Sequence, residues 1–292
     1  ARLLGRLQHG VDVALREPVH ALGQQRDPQQ VQKHIDKCFA GIHRLQMIPV
    51  GERGNRTVEA EGMNANDGEA VSFVENVIVD GPVEEWLILI EDAMMLALQK
   101  VLRASVQGAK GPKERWVKEF PGQLLLTTGM ITFAVSCTKQ FLAISNGQKS
   151  AMRGQRRKQN QYLNRLAAIV RKPLEKVMRK KLVALITVEL HHRDIMERLI
   201  KAGCSNVNDF EWLSQLRLYF QKDEGEFGKC VVKQTNCTLT FGYEYQGNNG
   251  RLVVTPLTDR CVLTLTTALH LQRGGDHTVR GLEHRRDLYS LR

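Results

Sequence analysis

What this chain lacks narrows its chemistry first. Its six cysteines (Cys38, Cys137, Cys204, Cys230, Cys237, Cys261) are scattered. None forms a Cys-x-x-Cys pair or has histidines at zinc spacing, so no metal site is expected. They read as reduced, packed thiols of an intracellular protein. No Gly-x-Ser-x-Gly or comparable signature marks a nucleophile. Long apolar runs are missing too: Leu124 to Ile144 is broken by Thr127, Thr128, Ser136, Lys139 and Gln140. A bilayer span needs roughly 20 predominantly apolar residues, so that stretch reads as a core helix. Leu3-Leu4 is too short for the apolar part of a secretion signal. There is no internal repeat and no low-complexity segment.

What is present fits a globular chain. The 292 residues are 42% hydrophobic and 25% charged, enough for one sizeable core or two smaller ones. Formal net charge is +11 and the sequence pI is about 9.5. The basic residues gather at Arg153, Arg156, Arg157 and Lys158, then at Arg171, Lys172, Arg179, Lys180 and Lys181. Such a surplus permits an acidic partner. Without an RNA-recognition signature or zinc finger, it reads as a solvated helix face, and neither nucleic acid nor membrane is expected as a partner.

Helical periodicity covers much of the chain. Asp27 to Gln46 reads as a helix capped by Asp27 with Pro28 at its first position, burying Val31, His34, Ile35, Cys38, Phe39, Ile42 and Leu45. Gly51 to Gly81 reads as two short strands around an exposed loop at Asn66-Asp67-Gly68. Helices follow over Pro82–Arg103, with a stripe of Trp86, Leu89, Ile90, Met94, Leu98 and Val101, and over Phe120–Ile144, ended by Asn146-Gly147. Gln155 to Ala202 reads as two helices split at Lys172-Pro173, with Gly203 as the stop. After Asp209 the composition turns to strands, at Leu216–Phe220 and Cys230–Thr240, around a polar turn at Asp223–Gly228. Phe241 to Leu271 reads as a hairpin, a short strand and a helix from Arg260 capped by Thr258 or Asp259.

Two clusters invite chemical readings. Glu189 and His192 stand three apart on a helix, with His191 beside them. Glu-x-x-His can supply two metal ligands in a helical bundle, but a di-metal site needs a second such motif and none is present. The expected role is a buried pair satisfied by neighbours such as Arg193. Gly274-Gly275 lies where a phosphate loop could sit, yet no Lys-Thr pair follows. Gly-x-x-x-x-Gly-Lys-Ser/Thr is what cradles phosphates and Mg²⁺, so this stretch alone is not expected to hydrolyse ATP.

The run Gly242-Tyr-Glu-Tyr-Gln-Gly-Asn-Asn-Gly-Arg-Leu-Val-Val-Thr-Pro-Leu-Thr-Asp-Arg-Cys261 closely resembles the start of the first AAA+ module of dynein heavy chains. Further segments resemble that family in family order. They are the Lys37-Cys-Phe39 triplet, Ala60-Glu-Gly-Met63, Gly81-Pro-Val-Glu-Glu-Trp-Leu87, Phe120-Pro-Gly-Gln-Leu124, Val188-Glu-Leu-His-His-Arg-Asp194 and Asp209-Phe-Glu-Trp-Leu-Ser-Gln-Leu-Arg217. The likeness runs from about residue 26 to residue 271, and the Gly-Tyr-Glu-Tyr form is more axonemal than cytoplasmic.

The resemblance implies a mainly α fold: a helical linker bundle with short β-hairpins, followed by the first strand and helix elements of an α/β AAA+ module. Residues 1–208 would be the C-terminal part of the linker, 209–271 the junction and the start of the module, and 272–292 a diverged or truncated tail. Val253, Val254, Thr255, Pro256 and Leu257 would line the adenine side of the first nucleotide pocket. ATP or ADP with Mg²⁺ would be the cofactor of the whole motor, with none held by this stretch alone. Implied partners are the rest of the AAA+ ring, dynein intermediate and light chains, and microtubules. The implied location is the cytoskeleton of a cilium or flagellum. The alternative is a stand-alone linker-derived binding protein without motor activity.

Overall fold

The computed structural model describes residues 28–50, 57–248 and 253–273. The expected Asp27 cap, part of the Gly51–Gly81 region, the start of the strand expected around Leu252, and the Gly274-Gly275 and tail expectations lie outside the described residues. The described residues form two compact units, one of 28–50, 57–100 and Tyr243–Asn248, the other of Val101–Gly242 and 253–273.

The first unit opens with α1 (Pro28–Val31), a 3-10 turn (Gln32–His34) and α2 (Ile35–Cys38), then β1 (Arg44–Val50). The single helix expected up to Gln46 therefore stops at Cys38, and the chain turns over residues 39–43 before entering a strand at Arg44. The apolar residues keep their role, since Val31, Ile35, Phe39, Ile42 and Leu45 are all buried. Tertiary contacts override the helical spacing. The Gln32 side-chain amide donates to the Leu45 carbonyl (2.8 Å) and accepts from the Leu45 amide (3.0 Å), so Leu45 is held like a strand residue. A Cβ at Gly41 would stand 2.2 Å from the Tyr245 carbonyl oxygen, so the chain turns where only glycine fits.

β1 pairs antiparallel with β2 (Thr57–Asn64), and β2 with β3 (Ala70–Ile78). The expected hairpin is present, but its loop is not wholly exposed, because Ala65 and Glu69 are buried. Pro49 lies in β1, an edge strand of this sheet, where its missing N–H costs no central ladder bond. Helix α3 (Val83–Gly108) follows, with Glu84 and Glu85 at its positive end. Trp86, Ile90, Met94 and Leu98 are buried as expected, whereas Leu89 is exposed and Leu87 takes its place. At about 100° per residue, Leu89 falls on the far side of Trp86 from Leu87 and Ile90.

The hairpin expected after Phe241 is absent among the described residues, where 241–248 has no strand. Tyr245 is instead packed into this first unit and fully buried. Its hydroxyl donates to Glu69 Oε2 (2.8 Å) and its amide to Met94 Sδ (3.4 Å).

The second unit is a helical bundle closed by a small sheet. Its elements are α4 (Lys113–Glu119), α5 (Gly122–Ser145), α6 (Ala151–Val170), α7 (Lys176–Lys201), α8 (Phe210–Leu213), β4 (Arg217–Gln221), β5 (Lys229–Gln234), β6 (Cys237–Thr240) and α9 (Pro256–His270). The break at Pro173 and the stops at Gly147 (φ 94°) and Gly203 (φ 70°) fall where the sequence puts them. Helix α4 is an addition to the sequence reading. It contributes Trp116 and Val117 to a core with Phe120, Leu125, Leu126, Leu166, Leu182 and Leu185. A second cluster joins Phe133, Cys137, Phe141, Met152, Ile195, Met196, Leu199 and Trp212. The Cys230–Thr240 run is two strands of the antiparallel meander β4-β5-β6. The chain reverses at Thr235, whose φ of 48° is held by its amide bond to the Leu213 carbonyl (2.7 Å).

Candidate functional site

Along α7 the buried positions Leu182, Leu185, Glu189, His192, Met196 and Leu199 repeat at alternating spacings of three and four. That is the seam spacing of packed helices, and its two middle positions are polar. Leu182 and Leu185 belong to one apolar cluster and Met196 and Leu199 to the other, so Glu189 and His192 form a polar layer between them. Glu189 Oε2 accepts from Gln159 Nε2 on α6 at 2.5 Å and lies 3.2 Å from His192 Nδ1. The His192 ring stacks on Phe133 of α5 at 4.1 Å and 3°. Burial pulls the Lys113 ammonium below its ordinary value against the opposing field of Glu189, and Lys113 lies over the rings of Trp116 and Tyr162.

The pair is thus satisfied by neighbours, as expected, but by Gln159 and not by Arg193, which bonds Asp194 at the surface. Among the described residues no group of three or more His, Cys, Asp or Glu could hold a metal ion. Gln159 was legible in principle: it lies seven residues after Met152 and seven before Leu166 on the buried face of α6.

The second candidate is the segment at the start of α9. Thr255 is its N-cap, accepting from the Thr258 amide at 3.3 Å, with Pro256 at the first helical position. The cap therefore falls three or four residues earlier than Thr258 or Asp259, and the helix starts at Pro256 rather than Arg260. Proline suits that first turn because the N–H it lacks would have no helical partner. Asp259 is used differently, accepting from Arg198 Nη2 of α7 at 3.1 Å. Farther along, Thr266 donates to Gln234 Oε1 of β5 at 2.6 Å, and Gln234 Nε2 donates to the Ser214 carbonyl at 2.8 Å. These two ties moor α9, and no sequence motif announced Arg198, Gln234 or Thr266 for that role.

Around the cap stand the five residues singled out from the sequence. Val253, Val254, Thr255, Pro256 and Leu257 are all exposed, Val253 at 72% and Leu257 at 61%. This is a mostly aliphatic step whose one polar side chain, the Thr255 hydroxyl, is taken up by the Thr258 amide and hydroxyl. It can receive a flat apolar face.

Comparison with known proteins supplies the context. The family described as dynein heavy chain, N-terminal region 2, matches residues 17–105. The family described as the hydrolytic ATP binding site of the dynein motor region matches residues 241–280. The chain is 46% identical over 256 residues to the dynein-1-beta heavy chain of the flagellar inner arm I1 complex of Chlamydomonas reinhardtii, covering 87% of this chain and 6% of that protein. It is 44% identical over 258 residues to human dynein axonemal heavy chain 2 (87% and 6%) and 36% identical over 263 residues to human dynein axonemal heavy chain 12 (89% and 8%). The chain thus spans less than a tenth of the length of these relatives. Two dynein families matched in order, with such identity across most of its residues, establish that this chain belongs to the axonemal dynein heavy chains.

Proposed function

We propose that this chain is the stretch of an axonemal dynein heavy chain that joins the mechanical linker to the first AAA+ module of an ATP-driven microtubule motor. Residues 1–208 are assigned to the C-terminal part of the linker and 209–271 to the junction and the start of the module; the family match runs on to residue 280, so only the residues after it are assigned to a diverged tail. Val253, Val254, Thr255, Pro256 and Leu257 line the adenine side of the first nucleotide site. The phosphate-binding loop and the Mg²⁺ ligands belong to other parts of the heavy chain, since no Gly-x-x-x-x-Gly-Lys-Ser/Thr occurs in these 292 residues. The rest of the AAA+ ring, intermediate and light chains, and microtubules are partners of the whole motor in a cilium or flagellum.

The observation that carries this reading is the match of residues 241–280 to a dynein ATP-binding family, with the five exposed residues inside it. A mostly aliphatic step across the start of a capped helix suits the flat face of adenine, which gains from leaving water without needing charge. The ties Arg198–Asp259 and Gln234–Thr266 give the step a route to the bundle. Nucleotide that displaces the start of α9 acts on α7 through Asp259.

Photolabelling tests the assignment. The heavy chain carrying this stretch is immunopurified through the segment Ala109–Arg115 and irradiated with an adenine-reactive azido-ATP. Label on the peptide holding Val253–Leu257 is expected. A labelled motor with no label on that peptide would overturn the adenine assignment.

A further inference from the structure

Between Lys149 and Lys181 the chain carries twelve Lys and Arg and a single acid, Glu175. The excess of +11 in this stretch equals the formal net charge of the whole chain, so the remainder is balanced. The stretch is α6, the turn after it and the start of α7, an antiparallel pair whose inner faces supply Met152, Leu166, Leu182 and Leu185 to the cores. Its outer face is where the charge goes: Arg153, Arg157, Lys158, Arg165, Arg171 and Lys176 are exposed.

Part of the charge is used internally. Lys172 pairs with Glu114 (2.7 Å), Arg179 donates to the Val170 and Lys172 carbonyls, and Lys181 donates to the Phe120 carbonyl. Among the described residues, none of the six exposed cations named above forms a salt bridge. Arg153 and Arg157 stand at i and i+4, a like-charge spacing that destabilises a helix on its own. Helix α6 has no acid to relieve it. A solvated helix normally mixes signs, so a face of one sign this concentrated is better matched by counter-charge from outside.

We propose that the outer face of the α6–α7 pair docks an extended Glu- and Asp-rich polypeptide segment. Two features favour a polypeptide. Val183 and Leu190 of α7 are exposed in line with Lys176 and offer apolar contacts among the cations. The single aromatic residue of the stretch, Tyr162, already lies under Lys113, so the face has no aromatic platform on which bases could stack. Nor does it carry the Trp, Phe or Leu row that anchors a helix in a bilayer interface. The 20 residues of α6 run about 30 Å, which roughly nine extended residues of a partner would span. The proposal is independent of the nucleotide assignment.

The test uses the full 292-residue chain and a fluorescein-labelled deca-glutamate peptide read by anisotropy. Binding is expected to weaken more than about tenfold as salt rises from roughly 50 to 200 mM. The variant Arg153→Glu, Arg157→Glu, Arg165→Glu, Lys176→Glu should lose at least about thirtyfold. The control Lys118→Glu, Lys139→Glu, Lys222→Glu should lose less than about threefold. Circular dichroism checks that both fold. If the first variant does not, lysine-acetylation footprinting of the unaltered chain decides: the peptide should shield Lys158 and Lys176 and leave Lys118 and Lys139 reactive. Equal losses in the two variants, unshielded Lys158 and Lys176, or tighter binding to poly-uridylate or to phosphatidylserine vesicles would overturn the proposal.

Discussion

Glu189 offers a decisive perturbation because three helices meet at its carboxylate. Its side chain is 4% exposed, so solvent screens it little. Replacing it by alanine leaves the Gln159 amide and the His192 ring without their acceptor and opens a gap beside Gly129 of α5. Removing one partner of a buried charged network costs about 3 to 5 kcal/mol. For a unit of this size each kcal/mol moves the unfolding midpoint by roughly 2 to 4 °C, so Glu189→Ala should lower it by roughly 6 to 20 °C. Glu189→Gln keeps the size and one acceptor and should cost about 1 to 2 kcal/mol. The double change Gln159→Met with Glu189→Met removes donor and acceptor together and should recover at least half of the alanine loss, since unmade buried bonds cost more than absent ones. Thermal and urea unfolding of the full chain measure all three. An alanine variant within about 1 kcal/mol of the parent would refute the polar layer as the tie between the two cores.

Gly129→Ala should destabilise, even though alanine is the better helix former by about 1 kcal/mol. The added Cβ would stand 3.0 Å from Glu189 Oε1, and Gln159 and His192 hold that carboxylate against giving way; denaturant midpoints give the sign. Thr255→Ala removes the cap of α9 and should cost that helix about 0.5 to 2 kcal/mol, seen as faster amide exchange over Leu257–Val262. Burial holds the His191 imidazole below its ordinary value of 6.5, with Asp259 pulling the other way. The folded state therefore favours the neutral ring: its contribution is complete above pH 6.5 and declines as pH falls through the lower folded value. His191→Gln should flatten that acid-side loss in a series of melts. Burial also pushes the Cys137 thiol up to about 12, so it should alkylate far more slowly at pH 8 than the partly exposed Cys261.

Where a local signal had no competitor, the sequence was enough. Pro173 had to break a helix, Gly147 and Gly203 had to end one, and Asp67-Gly68 had to turn a hairpin, because each acts through its own backbone. Where distant residues decide, periodicity misled. Ile42 and Leu45 keep helical spacing with Val31 and Ile35, yet the close approach of Tyr245 to Gly41 puts Ile42 in a turn and Gln32 holds Leu45 in a strand. Tyr245 lies in a run that reads as a hairpin but spends its polar groups on Glu69 and Met94, more than 150 residues earlier in the chain. At the candidate sites, residue types were legible and partners were not. Glu189 and His192 announced a buried pair through their spacing, while Gln159 comes from another helix. The five-residue step at the start of α9 was found by family likeness, since aliphatic residues, a threonine and a proline carry no chemical signature of their own.

The central claim is that these residues work inside a motor many times their own size. An antibody raised against Ala109–Arg115 and used on a blot of axonemal protein tests it directly. Membership in a motor predicts a band in the size range of the relatives, of which the aligned region makes up 6 to 8%. A single band near 33.1 kDa would contradict it and make the chain a linker-derived binding protein in its own right.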